Sequence, residues 1–191
     1  MSNLKEFSVR NLVLCALFAA LIAVGAFIKI PTPWVVLTLQ TLFVVLAGLI
    51  LGSKLGAIAA LIYVLTGLSG LPVFTQGGGL GYVLMPTFGY LVSFIAGAWL
   101  AGYLAENLPP KILSWFLAGF AAIILIYAIG IPYFYLISRF YLGKIFAAKA
   151  LLWGFIIMPL PGDLISCFAA ALIASRIKAF MPNDFTWRRA E

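Results

Sequence analysis

Apolar residues run along this chain in long blocks, broken by short polar or proline-containing stretches. Six blocks read as helices, at about 11–28, 37–51, 55–67, 86–105, 112–131 and 161–180. The breaks have local causes. After the first block come Lys29 and the run IPTPW at 30–34, where Pro31 and Pro33 each remove a backbone donor. GSK at 52–54 separates the second and third blocks, and ENLPPK at 106–111 separates the fourth and fifth. The third block is short for a full span unless it extends towards Pro72. Pro86 and Pro161 suit the first turns of the fourth and sixth helices, where a missing N–H costs nothing. Between residues 132 and 159 the pattern is less regular, with aromatics, three cations and a short apolar piece ending at Met158.

Composition turns these blocks into membrane spans. Hydrophobic residues make up 65% of the 191 residues and charged residues 9%, against roughly 25% charged in soluble domains. Mean hydropathy is +1.17. At roughly 20 residues per span, the chain is expected to be an all-α integral membrane protein, a single compact six-helix domain over residues 1–191. The first block exceeds the roughly 7–15 residues of a signal-peptide core and has no clear cleavage site after it, so it reads as a helix that stays. Six crossings put both termini on one side. That side carries Lys5, Arg10, Lys54, Lys111, Arg176, Lys178, Arg188 and Arg189, against Lys29, Arg139, Lys144 and Lys149 on the other. The richer side is expected to be cytoplasmic, giving an N-in/C-in multi-pass protein of the cell membrane. Topology thus accounts for the net charge of +7, with no nucleic-acid partner needed.

This orientation bears on the glycine-rich run QGGGLGYVLMPTFGY at 76–90. It falls outside, away from ATP, and lacks the Lys-Ser/Thr that follows a phosphate-binding loop. A lid over a ligand is the favoured reading, against a passive connector. Gln76, Gly78, Gly79 and Tyr82 are then candidate contacts, since glycines permit unusual backbone angles and close approach. Asp163, near the third position of the last helix, is the sharpest candidate, because an ionisable group in a span is costly and marks function by default. Capping of its own helix competes with that reading. Arg139, Lys144, Lys149 and Lys29 share its side, either as snorkelling anchors or as partners for an anion. Thr38, Gln40 and Thr41 are polar in an apolar run, where helix–helix hydrogen bonds are the commoner explanation, and Thr38 and Gln40 lie near the outer end within reach of a site. Trp34, Tyr82, Tyr90, Tyr133 and Tyr135 suit an interfacial belt or a cavity wall. Ala16, Ala19, Ala20 and Ala23 form a small-residue stripe that allows close helix approach, within the bundle or to a partner. Cys15 and Cys167 read as small core residues. There is no histidine in the chain, and no metal-ligand set, Walker motif or paired carboxylates are found. Binding or transport is therefore favoured over catalysis, with no cofactor and no metal. A membrane-embedded enzyme would need a second catalytic group opposite Asp163.

Taken in order, LTLQTLFVVLAGLILG (37–52), GLPVF (70–74), GGGLGY (77–82), PTFGYLVSF (86–94) and PGDLI (161–165) resemble the BioY family, the biotin-specific S components of energy-coupling-factor (ECF) transporters. The likeness covers nearly the whole chain, and the motifs are specific together rather than singly. It implies a compact six-helix S component that captures biotin from outside with high affinity. It also implies a transmembrane coupling protein and a pair of cytoplasmic ATPases as partners. The stripe of Ala16, Ala19, Ala20 and Ala23 resembles the alanine motif that docks S components onto the coupling protein. An S component for another vitamin would keep the fold and change the pocket. One departure stands out: the lysine that family members often carry three residues after the aspartate is Ser166 here. The resemblance further suggests that Asp163 accepts the ureido N–H groups of biotin, while aromatic and aliphatic side chains hold its rings.

Overall fold

A computed structural model describes residues 8–30, 36–144 and 146–180. Helix α1 spans Val9–Phe27, and the Ser8 hydroxyl caps it by accepting the Asn11 N–H at 3.3 Å. The chain then forms a two-residue antiparallel ladder, β1 (Lys29–Ile30) with β2 (Leu37–Thr38), in the register Lys29↔Thr38 and Ile30↔Leu37. This ladder takes the first residues of the helix expected from position 37. Helix α2 accordingly starts later, as Gln40–Leu51.

Helix α3 (Ser53–Leu68) follows after a single residue, Gly52, whose φ of 85° reverses the chain. An L side chain adopts that angle only under strain. The reversal is tight: a Cβ on Gly56 would sit 2.9 Å from the Cα of Gly48. Residues eight apart meet in this way only when the two helices fold back as a hairpin. Every residue of α2 except Thr41 and Phe43 is buried, so α2 is a central helix sheathed by protein. That explains why 12 residues suffice for it. At the hairpin's bend, Glu106 accepts hydrogen bonds from the Ser53 N–H at 2.6 Å and from its hydroxyl at 3.1 Å. A carboxylate placed there satisfies a free donor and suits the helix dipole.

A loop with a short 3₁₀ turn at Leu80–Leu84 leads to α4 (Phe88–Asn107). This helix was expected from Pro86. Met85 is extended, at φ −78° and ψ 134°, as the residue before a proline tends to be, and the helix begins only after the turn that follows. Helix α5 (Ile112–Leu136) runs through Pro132 rather than ending before it. Packing offsets the lost hydrogen bond there, because Phe134 is buried and its ring lies 4.1 Å from that of Phe155. Beyond Leu136 the helix widens into one π turn, Ile137–Tyr141. A short helix α6 (Ala148–Leu152) with its own π turn leads into α7 (Leu160–Phe180), where Pro161 occupies the second position.

Among the described residues, five stretches are long and apolar enough to cross a membrane: Val9–Phe27, Gln40–Leu68, Phe88–Asn107, Ile112–Tyr141 and Lys149–Phe180. The second of these is the α2–α3 hairpin. α4 packs along α5 and against α2 and α3, while α7 lies against α2 and α5. Apolar side chains such as Leu113, Leu117, Ile124 and Ile165 face outward, as suits an apolar solvent. One core cluster surrounds Cys15, Leu49, Trp115 and Cys167, and both cysteines are free. A second surrounds Ile22, Tyr63, Phe74, Tyr82 and Phe94. The alanine stripe of α1 is divided by its packing. Ala16 and Ala20 are exposed, Ala23 is half-buried, and Ala19 is buried in the second cluster. Ala19 therefore does not face outward for a partner.

Candidate functional site

The start of α2, the loop 69–87, and the facing ends of α4, α5 and α7 enclose a cavity of about 230 Å³. Ile28, Leu91, Phe94, Ile126 and Phe155 supply apolar walls, and polar groups enter from several elements. Asp163 is half-buried on the first turn of α7. Its own N–H is bonded to the Pro159 carbonyl at 3.0 Å. Its carboxylate accepts a hydrogen bond from the Tyr127 hydroxyl on Oδ2, and the Thr41 side chain interacts with it from α2. Side chains of α5 and α2, rather than the free N–H groups of its own helix, hold it. A carboxylate offers about four lone-pair sites, so acceptor capacity remains open towards the cavity.

Tyr90 adds an unusual feature. Its hydroxyl oxygen is buried and has no hydrogen-bond partner among the described residues, although the residue lines the same cavity. A buried polar atom left unpaired costs free energy, and a ligand acceptor or donor would relieve it. At the start of α2, Thr38 donates to Gln40 Oε1 at 3.1 Å, and Gln40 Nε2 donates to the Tyr63 hydroxyl at 2.7 Å. Tyr63 passes this order on to the loop by donating to the Val73 carbonyl at 3.3 Å. Within the loop, Thr75 and Tyr82 share a hydrogen bond at 3.1 Å between their hydroxyls. The ring of Phe74 is wedged between Tyr63 and Tyr82, with centroids at 5.5 and 4.6 Å. The loop thus has a hydrophobic anchor of its own, and Thr75 and Gln76 reach the cavity from it.

Of the residues singled out in the sequence, Thr38, Gln40, Thr41, Gln76, Tyr82, Tyr90 and Asp163 line this one cavity. Trp34 lies outside the described residues. Gly78 and Gly79 do not line it. Gly78 packs where a Cβ would meet the Leu71 carbonyl at 2.1 Å, and Gly79 bonds its N–H to the Gly67 carbonyl at 2.7 Å. Both glycines fold the loop onto the end of α3 rather than presenting backbone to a ligand. Arg139 also stands away from the cavity. It is exposed, donates to the Tyr135 hydroxyl at 2.6 Å, and lies over the Phe140 ring at 5.6 Å. Lys149 is exposed on α6 and contributes nothing to the lining. Sequence reasoning missed Tyr127. The available signal was a phenol inside an apolar helix, whose hydroxyl needs a partner when buried. Ser166 is buried in the wall, so no cation stands one turn below Asp163. Among the described residues the polar lining is a carboxylate, hydroxyls and amides. Such a site suits a small, mostly apolar molecule that presents neighbouring N–H donors to Asp163.

The sequence pattern of the BioY family matches residues 1–183. A protein of Lysinibacillus sphaericus named as a probable biotin transporter BioY is 45% identical over 176 residues, spanning 91% of this chain and 89% of its own. The biotin transporter BioY of Thermotoga maritima is 44% identical over 172 residues, covering 88% of this chain and 96% of its own. Among solved structures, the crystal structure of an S-component for biotin from an ECF-type ABC transporter superposes with a TM-score of 0.82. It covers 98% of this chain and 100% of its own length at 24% identity, a likeness of fold.

Proposed function

This chain belongs to the BioY family, and from that membership we propose that it is a high-affinity biotin-binding membrane subunit. It takes biotin from outside the cell, for uptake driven by an ECF coupling protein and a cytoplasmic ATPase pair. It acts as a binder rather than as an enzyme. The chain crosses the membrane six times, with α1, α2, α3, α4, α5 and α7 as the crossings and both termini in the cytoplasm. The excess of Lys and Arg on the side of the α2–α3 bend and the α4–α5 connection supports that orientation. The cavity then lies under the outer loops.

The observation that carries the reading is the Asp163 carboxylate, held by the Tyr127 hydroxyl with acceptor capacity left open into the cavity. The ureido ring of biotin offers two N–H donors to that carboxylate and a carbonyl to a hydroxyl such as Tyr90. Its thiophane ring is apolar and fits between Phe94, Ile126 and Phe155. The exposed Ala16 and Ala20 on α1 are the part of the stripe open to a coupling protein. Mass spectrometry of small molecules released from the purified protein tests the ligand. Biotin is expected, and another vitamin in its place would overturn the assignment.

A further inference from the structure

Biotin carries a carboxylate at the end of its side chain, yet among the described residues no lysine or arginine lines the cavity. Of the four cations assigned above to the outer side, three stand apart from it. Arg139 is turned onto Tyr135 and Phe140, and Lys144 and Lys149 are exposed and do not themselves line the cavity. Lys29 differs. Its Nζ donates to the backbone carbonyl of Thr75 at 3.2 Å, and Thr75 is itself a lining residue. Ile30, its neighbour in β1, and Thr38, its partner across the ladder, line the cavity as well. The ammonium group is therefore at the rim, between the β1–β2 ladder and the loop that closes over the site. Among the described residues its acceptor is a neutral carbonyl, and the side chain is exposed.

Resting on the biotin reading above, we propose that Lys29 is the residue that recognises the ligand's carboxylate, and that it fastens the loop at Thr75 while doing so. An ammonium has three donors, so it can keep the Thr75 carbonyl and add a carboxylate oxygen. A hydrogen bond in which both partners are charged is roughly twice as strong as a neutral one. A carboxylate at the rim thereby draws the ladder and the loop together over the rings below. Specificity divides accordingly: Asp163 reads the ureido end at the bottom, and Lys29 reads the charge at the mouth.

The test compares biotin with its uncharged primary amide on the purified full chain. The wild-type protein should bind biotin more tightly than the amide. Lys29→Met should weaken biotin roughly tenfold more than it weakens the amide, whose retained binding also reports that the variant is folded, while Lys29→Arg should retain the preference for biotin. The preference of the wild type should shrink as salt rises, because the pair is exposed. An equal loss for both ligands would mean that Lys29 only braces the loop. No loss for either would remove it from recognition altogether, and both results overturn the proposal. If the wild type binds neither ligand, the biotin reading itself fails, an outcome distinct from tight biotin binding that ignores Lys29.

Discussion

Tyr127→Phe isolates one hydroxyl at the centre of the site. The ring stays and the packing around it is kept. What disappears is the hydrogen bond donated to Asp163 Oδ2, leaving Thr41 as the neighbouring side chain that still interacts with the carboxylate. The Tyr127 hydroxyl occupies one of its roughly four lone-pair sites, so room remains for the two ureido N–H groups. Without Tyr127 the carboxylate can rotate, and a ligand must order it on binding. A hydrogen bond to a charged group contributes about 1.5–3 kcal/mol. Part of that is recovered by new partners, so a loss of about 1.4 kcal/mol is expected, tenfold in Kd. The assay is a double-mutant cycle by calorimetry with biotin, using Tyr127→Phe, Asp163→Asn and the pair. Asp163→Asn alone should cost about tenfold to hundredfold, and adding Tyr127→Phe to it should cost little more, because the phenol acts through the carboxylate. Fully additive losses would refute this reasoning and mean that Tyr127 contributes independently of Asp163.

Three further outcomes follow from the packing. Gly67→Ala places a Cβ 2.1 Å from the Phe74 ring and should unseat the loop's anchor, so stopped-flow binding should show faster biotin release, and an unchanged release rate would deny the anchor its role. Glu106→Ala strips the carboxylate from the Ser53 N–H and should cost about 1 kcal/mol of stability, lowering the thermal midpoint in detergent while biotin affinity holds. Ala20→Trp adds bulk on the exposed face of α1 and should leave biotin binding intact while reducing copurification with a coupling protein; undiminished copurification would move the docking surface elsewhere.

Sequence and tertiary structure divide unevenly over this protein. The membrane class and most helix positions were legible, because a bilayer core demands long apolar runs and self-satisfied backbone. The residues Thr38, Gln76, Tyr82, Tyr90 and Asp163 could be nominated because polar groups gathered at corresponding helix ends. Local rules misled where packing overrode them. Pro132 marks a helix end by its chemistry, yet α5 continues because Phe134 finds Phe155. Gly78 and Gly79 look like ligand backbone in a glycine-rich run, yet their neighbours are Leu71 and Gly67. Arg139 and Lys149 share a side of the protein with Asp163, but sharing a side does not fix where a side chain points. Nothing in the spacing of Thr41, Tyr127 and Asp163 tells that they meet. They come from three helices, and only the packing of α2, α5 and α7 brings them to one point. Periodicity and hydropathy are properties of neighbours along the chain, so they settle which segments enter the membrane. A binding site is a property of residues far apart in sequence, and the fold alone decides which of them touch.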